Sequence, residues 1–434
     1  MTGFDYQGGI LHADGVPLPA IAAAAGTPTY VYAASVLEKN YRAYVDAFDG
    51  QNVGIHFALK ANPNLGVVAL LAGMGAGADI VSLGELRRAQ AAGISPDKMV
   101  FSGVGKTREE LTQAVLAGVA QINVESEPEL AALDQVCRGL GRRQRIALRI
   151  NPDVDAKTHE KISTGKRGDK FGIACDNAVA VYRRAAEMPG VQPVGIAVHI
   201  GSQLTDLTPF RRAYAKMADL VRELRAAGQE VQTIDLGGGI GVTYKEEHPP
   251  AVADYAQVVV ETVGNLGCKL AVEPGRSIVA AAGVLLARVI YRKAGGAHDI
   301  LILDAGMNDL MRPSMYGAYH PIRPVREPAA NAPLEPVDVV GPICESGDTF
   351  ARARPLPRIE ADDLVVFGAA GAYGSSMGST YNARPLAAEV LVHGDRFDIV
   401  RARPPVESLY AGESIPDWLT APPLREASSG QRRA

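Results

Sequence analysis

Over roughly its first two thirds, the chain repeats one pattern of apolar and polar positions. A short apolar run ends in a polar residue or glycine, and an amphipathic helix pattern follows. The runs are Val53–Leu59, Ala78–Val81, Met99–Phe101, Gln121–Val124, Ile146–Ile150, Gly195–Ile200, Thr233–Leu236 and Lys269–Val272. Helical spacing of apolar residues lies between them, for example at Leu83–Ala92, Arg108–Ala117, Glu127–Arg138, Asn177–Met188 and Arg211–Ala227. Eight short buried strands alternating with helices predict an α/β fold, a (β/α)8 TIM-type barrel. A doubly wound open sheet would alternate similarly. The strand count, and polar residues at nearly every strand end, favour the barrel.

The rhythm is different at the two ends of the chain. Residues 1–32 read as short extended pieces separated by Gly and Pro, ending in Thr29-Tyr30-Val31-Tyr32. Ala33–Asp49 reads as a helix, with Val36, Leu37, Tyr41, Tyr44 and Val45 near helical spacing. After Arg276 come strand-like runs at Gly283–Tyr291, Ile300–Asp304, Val337–Val340, Asp363–Phe367 and Ala387–Val392, with proline-rich segments at Pro321–Pro336 and Arg354–Pro357. These predict a second, β-rich domain, barrel- or sandwich-like, to which 1–32 adds a strand. The expected division is 33–282 for the barrel and 1–32 with 283–420 for the β-rich domain. The polar tail 421–434 is expected to be disordered.

Composition narrows the class. The 434 residues are 47% hydrophobic and 21% charged, which suits a soluble globular protein with ample core. The formal charge of -4, with Lys and Arg scattered, recommends neither nucleic acid nor an anionic membrane. Cys137, Cys175, Cys268 and Cys344 lie far apart without a CxxC, so neither a disulfide framework nor a metal site is indicated, which fits a reducing cytoplasm. The N-terminus lacks signal-peptide character, and no apolar run reaches membrane-spanning length.

In barrels the chemistry sits at the C-terminal strand ends. Here those ends carry Lys60, Asp79 with Ser82, Ser102, Asn123 with Glu125, Arg149 with Asn151, His199 with Ser202, Asp235 with Gly237-Gly238-Gly239, and Glu273. Lys60 follows a buried run directly. Burial lowers a lysine's pKa and makes a neutral amine that can attack a carbonyl, so Lys60 is a candidate Schiff-base lysine, although a solvated strand-end lysine is the commoner case. Gly237–Gly239 could cradle a phosphate with backbone N–H groups or simply make a tight turn. Glu273 with Arg276 could serve a ligand or pair locally. Pyridoxal phosphate explains the three jointly: a lysine for its aldehyde, an anion site for its phosphate, and an acid for its ring nitrogen. His199 could lie flat on that ring or be a hydrogen-bonded core residue.

Together these motifs resemble the barrel-type, fold-type III pyridoxal-phosphate decarboxylases, and among them the diaminopimelate decarboxylase family. The resemblance runs from Gly26-Thr27-Pro28 to Ile415-Pro416-Asp417-Trp418-Leu419. It includes Ala58-Leu59-Lys60-Ala61-Asn62, Gly77-Ala78-Asp79-Ile80-Val81-Ser82-Leu83-Gly84-Glu85-Leu86, His199-Ile200-Gly201-Ser202-Gln203, the triple glycine and Glu273-Pro274-Gly275-Arg276. Met311 to His320 looks like the family's segment for the distal carboxylate, and Gly341 to Asp348 like the loop that a partner subunit inserts into the site. Glu345 stands where relatives acting on ornithine or arginine carry aspartate, and Phe57 where relatives often carry tyrosine.

The resemblance implies pyridoxal 5'-phosphate as cofactor and cofactor contacts from Lys60, Asp79, His199, Ser202, Gly237, Gly238, Gly239, Glu273, Gly275, Arg276 and Tyr373. It implies that Arg276, Arg312, Tyr316, Glu345 and Tyr373 hold the substrate, with Lys60, His199 and Cys344 catalytic and either Lys60 or Cys344 returning a proton. The expected reaction is decarboxylation of meso-2,6-diaminopimelate to L-lysine and CO2, the last step of lysine synthesis, by a cytoplasmic homodimer with shared active sites. The rivals are a decarboxylase of another basic or carboxylated amino acid on the same scaffold, an amino-acid racemase, a non-catalytic pyridoxal-phosphate carrier, and a cofactor-free Schiff-base aldolase.

Overall fold

Strands buried on both faces pair in parallel, and the eight apolar runs do so in a computed structural model that describes residues 3–156, 164–165 and 168–420. In chain order the barrel strands are Val53–Ala58, Gly77–Ile80, Met99–Phe101, Gln121–Val124, Gln144–Asn151, Val191–Ala197, Thr233–Asp235 and Lys269–Val272. Each pairs with the next, and the eighth returns to the first in the register Leu270↔Val53, so the sheet closes on itself. Closure leaves no sheet edge and sets all eight strand ends around one mouth.

The helices between them start and stop where local chemistry dictates. Ser82 and Ser126 accept the N–H of Glu85 and Glu129, capping the helices Leu83–Ala91 and Glu127–Gly139. Thr107 and Glu110 form a reciprocal capping box at Arg108–Ala117, and Gly118, at φ 78°, ends that helix in a left-handed turn. The apolar faces of the helices pack onto the barrel strands in one continuous core, in which Phe57, Phe101, Phe210 and Tyr214 are almost wholly buried.

The second unit is a mixed sheet. Its strands lie in the order Thr349–Pro357, Leu334–Val340, Asp299–Leu303, Gly283–Lys293, Thr29–Ala33, Ala388–His393 and Arg396–Arg401. Leu364–Phe367 also pairs with Gly283–Lys293, and Ile322–Pro324 with Leu364–Phe367. Thr29–Ala33 comes from the N-terminal segment and is held between Gly283–Lys293 and Ala388–His393.

Two segments differ from their sequence reading. Leu18–Ala25, expected to be extended, is a helix: Pro19 occupies its first turn, where no N–H is needed, alanines favour the helix, and Gly26 at φ 69° ends it. Thr349–Pro357, passed over for its prolines, is a strand at the sheet edge, where a missing N–H costs no ladder bond. The tail 421–434 lies outside the described residues.

One glycine tests barrel closure. A Cβ on Gly195 would overlap the Thr233 carbonyl of the neighbouring strand, whereas a Cβ on Gly296 meets no atom within 4 Å. Gly195→Ala is expected to cost about 3 kcal/mol or more. In urea unfolding this reads as a lowered midpoint, with Gly296→Ala close to wild type.

Candidate active site

The first barrel strand ends at Ala58, and Lys60 sits in a single 3-10 turn, Leu59–Ala61, rather than on the strand itself. The turn is pinned from three sides. Ala58 donates its N–H to Pro274 O (3.1 Å), Tyr373 donates its N–H to Ala61 O (2.8 Å), and Asn62 Nδ2 donates to Gly371 O (3.0 Å). Beneath it, a Cβ on Gly275 would stand 3.0 Å from Ala61 Cβ, so glycine permits the close approach.

Lys60 Nζ lies 2.8 Å from Asp79 Oδ2, the carboxylate presented by the second strand in register with Ala58. Burial alone would pull the lysine pKa down, but Asp79, Glu273 and Tyr373 outweigh it, and the ammonium is held above its ordinary range. The expectation of a burial-lowered amine is therefore reversed. Two adjacent acids oppose the desolvation that the sequence argument considered alone.

Glu273 stands beyond the eighth strand, its N–H donating to Gly237 O (2.8 Å). Burial first, then the charges of Asp235 and Asp79, push its carboxyl well above the usual range, with Lys60 pulling the other way. Asp235 is itself held by Asn123 Nδ2 (2.8 Å) and the Gly237 N–H (3.0 Å), and Asn123 also donates to Ser102 Oγ (3.0 Å). Arg149 and Glu125 form a buried pair at 2.9 Å.

The seventh-strand loop follows Asp235. Gly237 and Gly239 have φ of 63° and 131°, and a Cβ on Gly238 would overlap the Glu273 carbonyl, so this run has to be glycine. Gly238 donates its N–H to His199 Nδ1 (3.2 Å), which places the ring proton on Nε2. Burial and then the charges of Arg149 and Lys60 keep the imidazole neutral, well below its ordinary pKa. Ser202 Oγ accepts from Arg276 Nε (3.3 Å) and Nη2 (3.2 Å), and Arg276 Nη1 donates to Tyr244 Oη (2.6 Å).

His199, Ser202, Tyr244, Arg276, Arg312, Tyr316 and Tyr373 line one cavity of roughly 500 Å³. Arg276 lies over the Tyr373 ring at 4.7 Å and Arg312 over the Tyr244 ring at 4.4 Å. Both arginines are buried, and among the described residues neither is paired with a carboxylate. Two such guanidiniums make an anion-binding wall. Cys344 and Glu345 do not join this cavity. They lie on an exposed loop, with the Cys344 N–H donating to Asn382 Oδ1 (2.8 Å) and Glu345 Oε2 accepting from Tyr381 Oη (3.2 Å).

Sequence reasoning missed Tyr244, which touches both arginines, and gave His320 no role although it stands in the Met311–His320 motif. Nothing in the pattern around Tyr244 marks it. Its contacts arise only when the seventh-strand loop folds against Arg276 and the second domain.

The residues present fit pyridoxal phosphate. Glu273 Oε1 and Asp79 Oδ1 are buried with no hydrogen-bond partner among the described residues, a costly arrangement unless a ligand supplies one. The glycine loop, Ser202 and Arg276 form the polar end a phosphate needs.

The family described as pyridoxal-dependent decarboxylase, pyridoxal binding domain, matches residues 34–280. The chain is similar to the diaminopimelate decarboxylase of Pseudomonas aeruginosa, with 51% identity over 96% of this chain and 99% of the relative. The diaminopimelate decarboxylase of Zymomonas mobilis is 46% identical over 96% and 100% of the two chains. Among solved structures, the diaminopimelate decarboxylase of M. jannaschii in complex with L-lysine superposes with a TM-score of 0.91 at 38% identity, covering 96% of this chain and 100% of that one.

The buried Glu273 predicts a pH effect on stability. A carboxyl whose pKa is raised by folding stabilises the fold below its ordinary value, near 4.5, and this contribution is lost as pH rises. In cofactor-free protein, Glu273→Gln is therefore expected to melt higher than wild type near about pH 7.5, the gap closing toward the ordinary carboxylate value. Melting curves across pH read this directly.

Proposed function

The chain belongs to the pyridoxal-dependent decarboxylases, within the diaminopimelate decarboxylase family, and from that premise we propose that it converts meso-2,6-diaminopimelate to L-lysine and CO2 with pyridoxal 5'-phosphate as cofactor. The observation that carries the substrate reading is the pair of buried arginines, Arg276 and Arg312, that have no carboxylate partner among the described residues, on the wall of the cavity that also holds His199 and Tyr373. A dicarboxylic amino acid supplies the anion such a wall needs, whereas ornithine and arginine bring a cation to it.

The proposed roles follow from placement. Lys60, with Asp79 beside it, would hold the cofactor's aldehyde. Glu273, whose carboxyl is pushed up by burial, would hold a proton for the ring nitrogen. His199, neutral and oriented by the Gly238 N–H, would offer its ring to the cofactor. Gly237, Gly238, Gly239, Gly275, Ser202, Arg276 and Tyr373 would hold the phosphate. When bound, pyridoxal phosphate supplies an electron sink for the pair left behind by departing CO2. Arg312, Tyr316, Tyr373 and Arg276 orient the substrate, and its distal carboxylate goes to Arg312, whose planar fork can bind it in bidentate fashion. A proton must then return to the substrate α-carbon. Lys60, held protonated beside Asp79, is one donor, and the partner's Cys344 is the other.

Cys344 and Glu345 lie apart from their own chain's cavity, so the proposal places them in the site of a second copy and makes the working unit a homodimer. The proposed division is residues 33–282 for the barrel and 1–32 with 283–420 for the β-rich domain, supported by Thr29–Ala33 pairing within the second sheet. No helix among the described residues is long and apolar enough to cross a membrane. The four cysteines are unpaired, which supports a reducing cytoplasm.

Incubation with meso-diaminopimelate, ornithine and arginine in turn, reading CO2, is the test. Only the first is expected to be turned over efficiently, by about 10- to 100-fold in kcat/KM, since a charged contact counts for about 1.5–3 kcal/mol. Arg312→Ala should remove most of that preference by raising KM. Equal rates on the three substrates would refute the substrate assignment.

A further inference from the structure

We infer that His320 is a positioning residue that aims the Arg312 guanidinium into the cavity without neutralising it, so that the cation stays available for the substrate's distal carboxylate. The inference rests on the substrate reading above and deepens it.

His320 is buried behind the cavity wall. Its Nε2 lies 2.8 Å from Arg312 Nη1, and its Nδ1 lies 2.9 Å from Gly368 O. A guanidinium offers only donors, so Nε2 accepts; a carbonyl only accepts, so Nδ1 carries the proton. One neutral tautomer satisfies both contacts. Gly368 is in turn fixed by its N–H on Pro321 O (2.8 Å). Burial first, and then the charges of Arg312, Arg276 and Arg354, push the imidazole pKa down to about 3. Arg354 Nη1 also donates to the His320 carbonyl (3.1 Å).

The Arg312 guanidinium is thus held on one edge by a neutral imidazole and on one face by the Tyr244 ring, which meets His320 edge-on at 5.4 Å and 75°. Neither holder carries a negative charge. Elsewhere in the barrel, buried cations are met by carboxylates: Arg149 by Glu125 at 2.9 Å and Lys106 by Glu129 at 2.7 Å. A carboxylate at position 320 would pair with Arg312 in the same way and compete with the substrate. A neutral acceptor orients the fork and leaves its charge uncompensated.

The test is steady-state kinetics of the holoenzyme on meso-diaminopimelate for wild type, His320→Gln, His320→Glu and His320→Ala. Gln keeps a neutral acceptor of similar reach, and its KM is expected within about fivefold of wild type. Glu is expected to raise KM by about 10- to 100-fold with kcat changed far less, the span of one lost charged contact. Ala is expected to raise KM, with added imidazole lowering it again. A merely structural histidine would reduce active enzyme, hence apparent kcat, and leave KM in place. Equal KM for Gln and Glu, or a change confined to kcat, overturns the inference. If the Glu variant does not fold, the Gln–Ala comparison decides: equal KM without imidazole rescue overturns it. Absence of CO2 release by wild type would instead refute the functional reading itself, so the two failures are distinguishable.

Discussion

The Lys60 turn is held by backbone groups from elsewhere in the chain, and the site depends on that clamp. Ala61 O receives the Tyr373 N–H and Gly371 O receives the Asn62 amide, so the second domain is fastened to the barrel mouth at the residue next to the lysine. Tyr373 adopts φ 54°, a conformation that costs a bulky residue about 1–2 kcal/mol and persists here because its N–H has this fixed acceptor. On the other side, Ala58 is tied to Pro274 and Gly275 packs under Ala61. Lys60, Glu273, Arg276 and Tyr373 come from three separate parts of the chain, and this one turn brings them into register.

Electrostatics then divides the buried charges into two kinds. Arg149 with Glu125 and Lys106 with Glu129 are ion-paired within the protein, although Glu125 Oε2, like Glu273 Oε1, has no hydrogen-bond partner among the described residues. Arg276 and Arg312 are held by hydroxyl, imidazole and ring faces, and Glu273 keeps an unpartnered oxygen. Burying unmatched groups lowers stability, and proteins tolerate it where a ligand completes the set. The unmatched groups therefore outline the ligand: anionic toward Arg276 and Arg312, hydrogen-bonding toward Glu273.

The barrel was legible because most of its strands are largely buried and most of its helices carry a 3.6-residue period. Met99–Phe101 and Gln121–Val124 emerge with the bounds their apolar runs suggest. Where local and tertiary signals disagree, legibility fails. Prolines hid the edge strand Thr349–Pro357, and glycine and proline around Leu18–Ala25 masked an alanine-rich helix. Lys60 was found by its place after an apolar run, but the direction of its pKa depends on Asp79, presented by the adjacent strand, and on Glu273, brought near by barrel closure. Tyr244 had no local signature, since its two arginine contacts come from distant segments. Cys344 and Glu345 were legible as a motif, yet a single chain leaves them outside its own cavity.

The account stands on Lys60 as the point where the cofactor is attached. Borohydride reduction of the holoenzyme, followed by proteolysis and mass spectrometry, tests this directly. The result expected is a single pyridoxyl-modified peptide containing Lys60, lost in Lys60→Ala. Modification of a different lysine, or the same labelling in the Lys60→Ala variant, would contradict it.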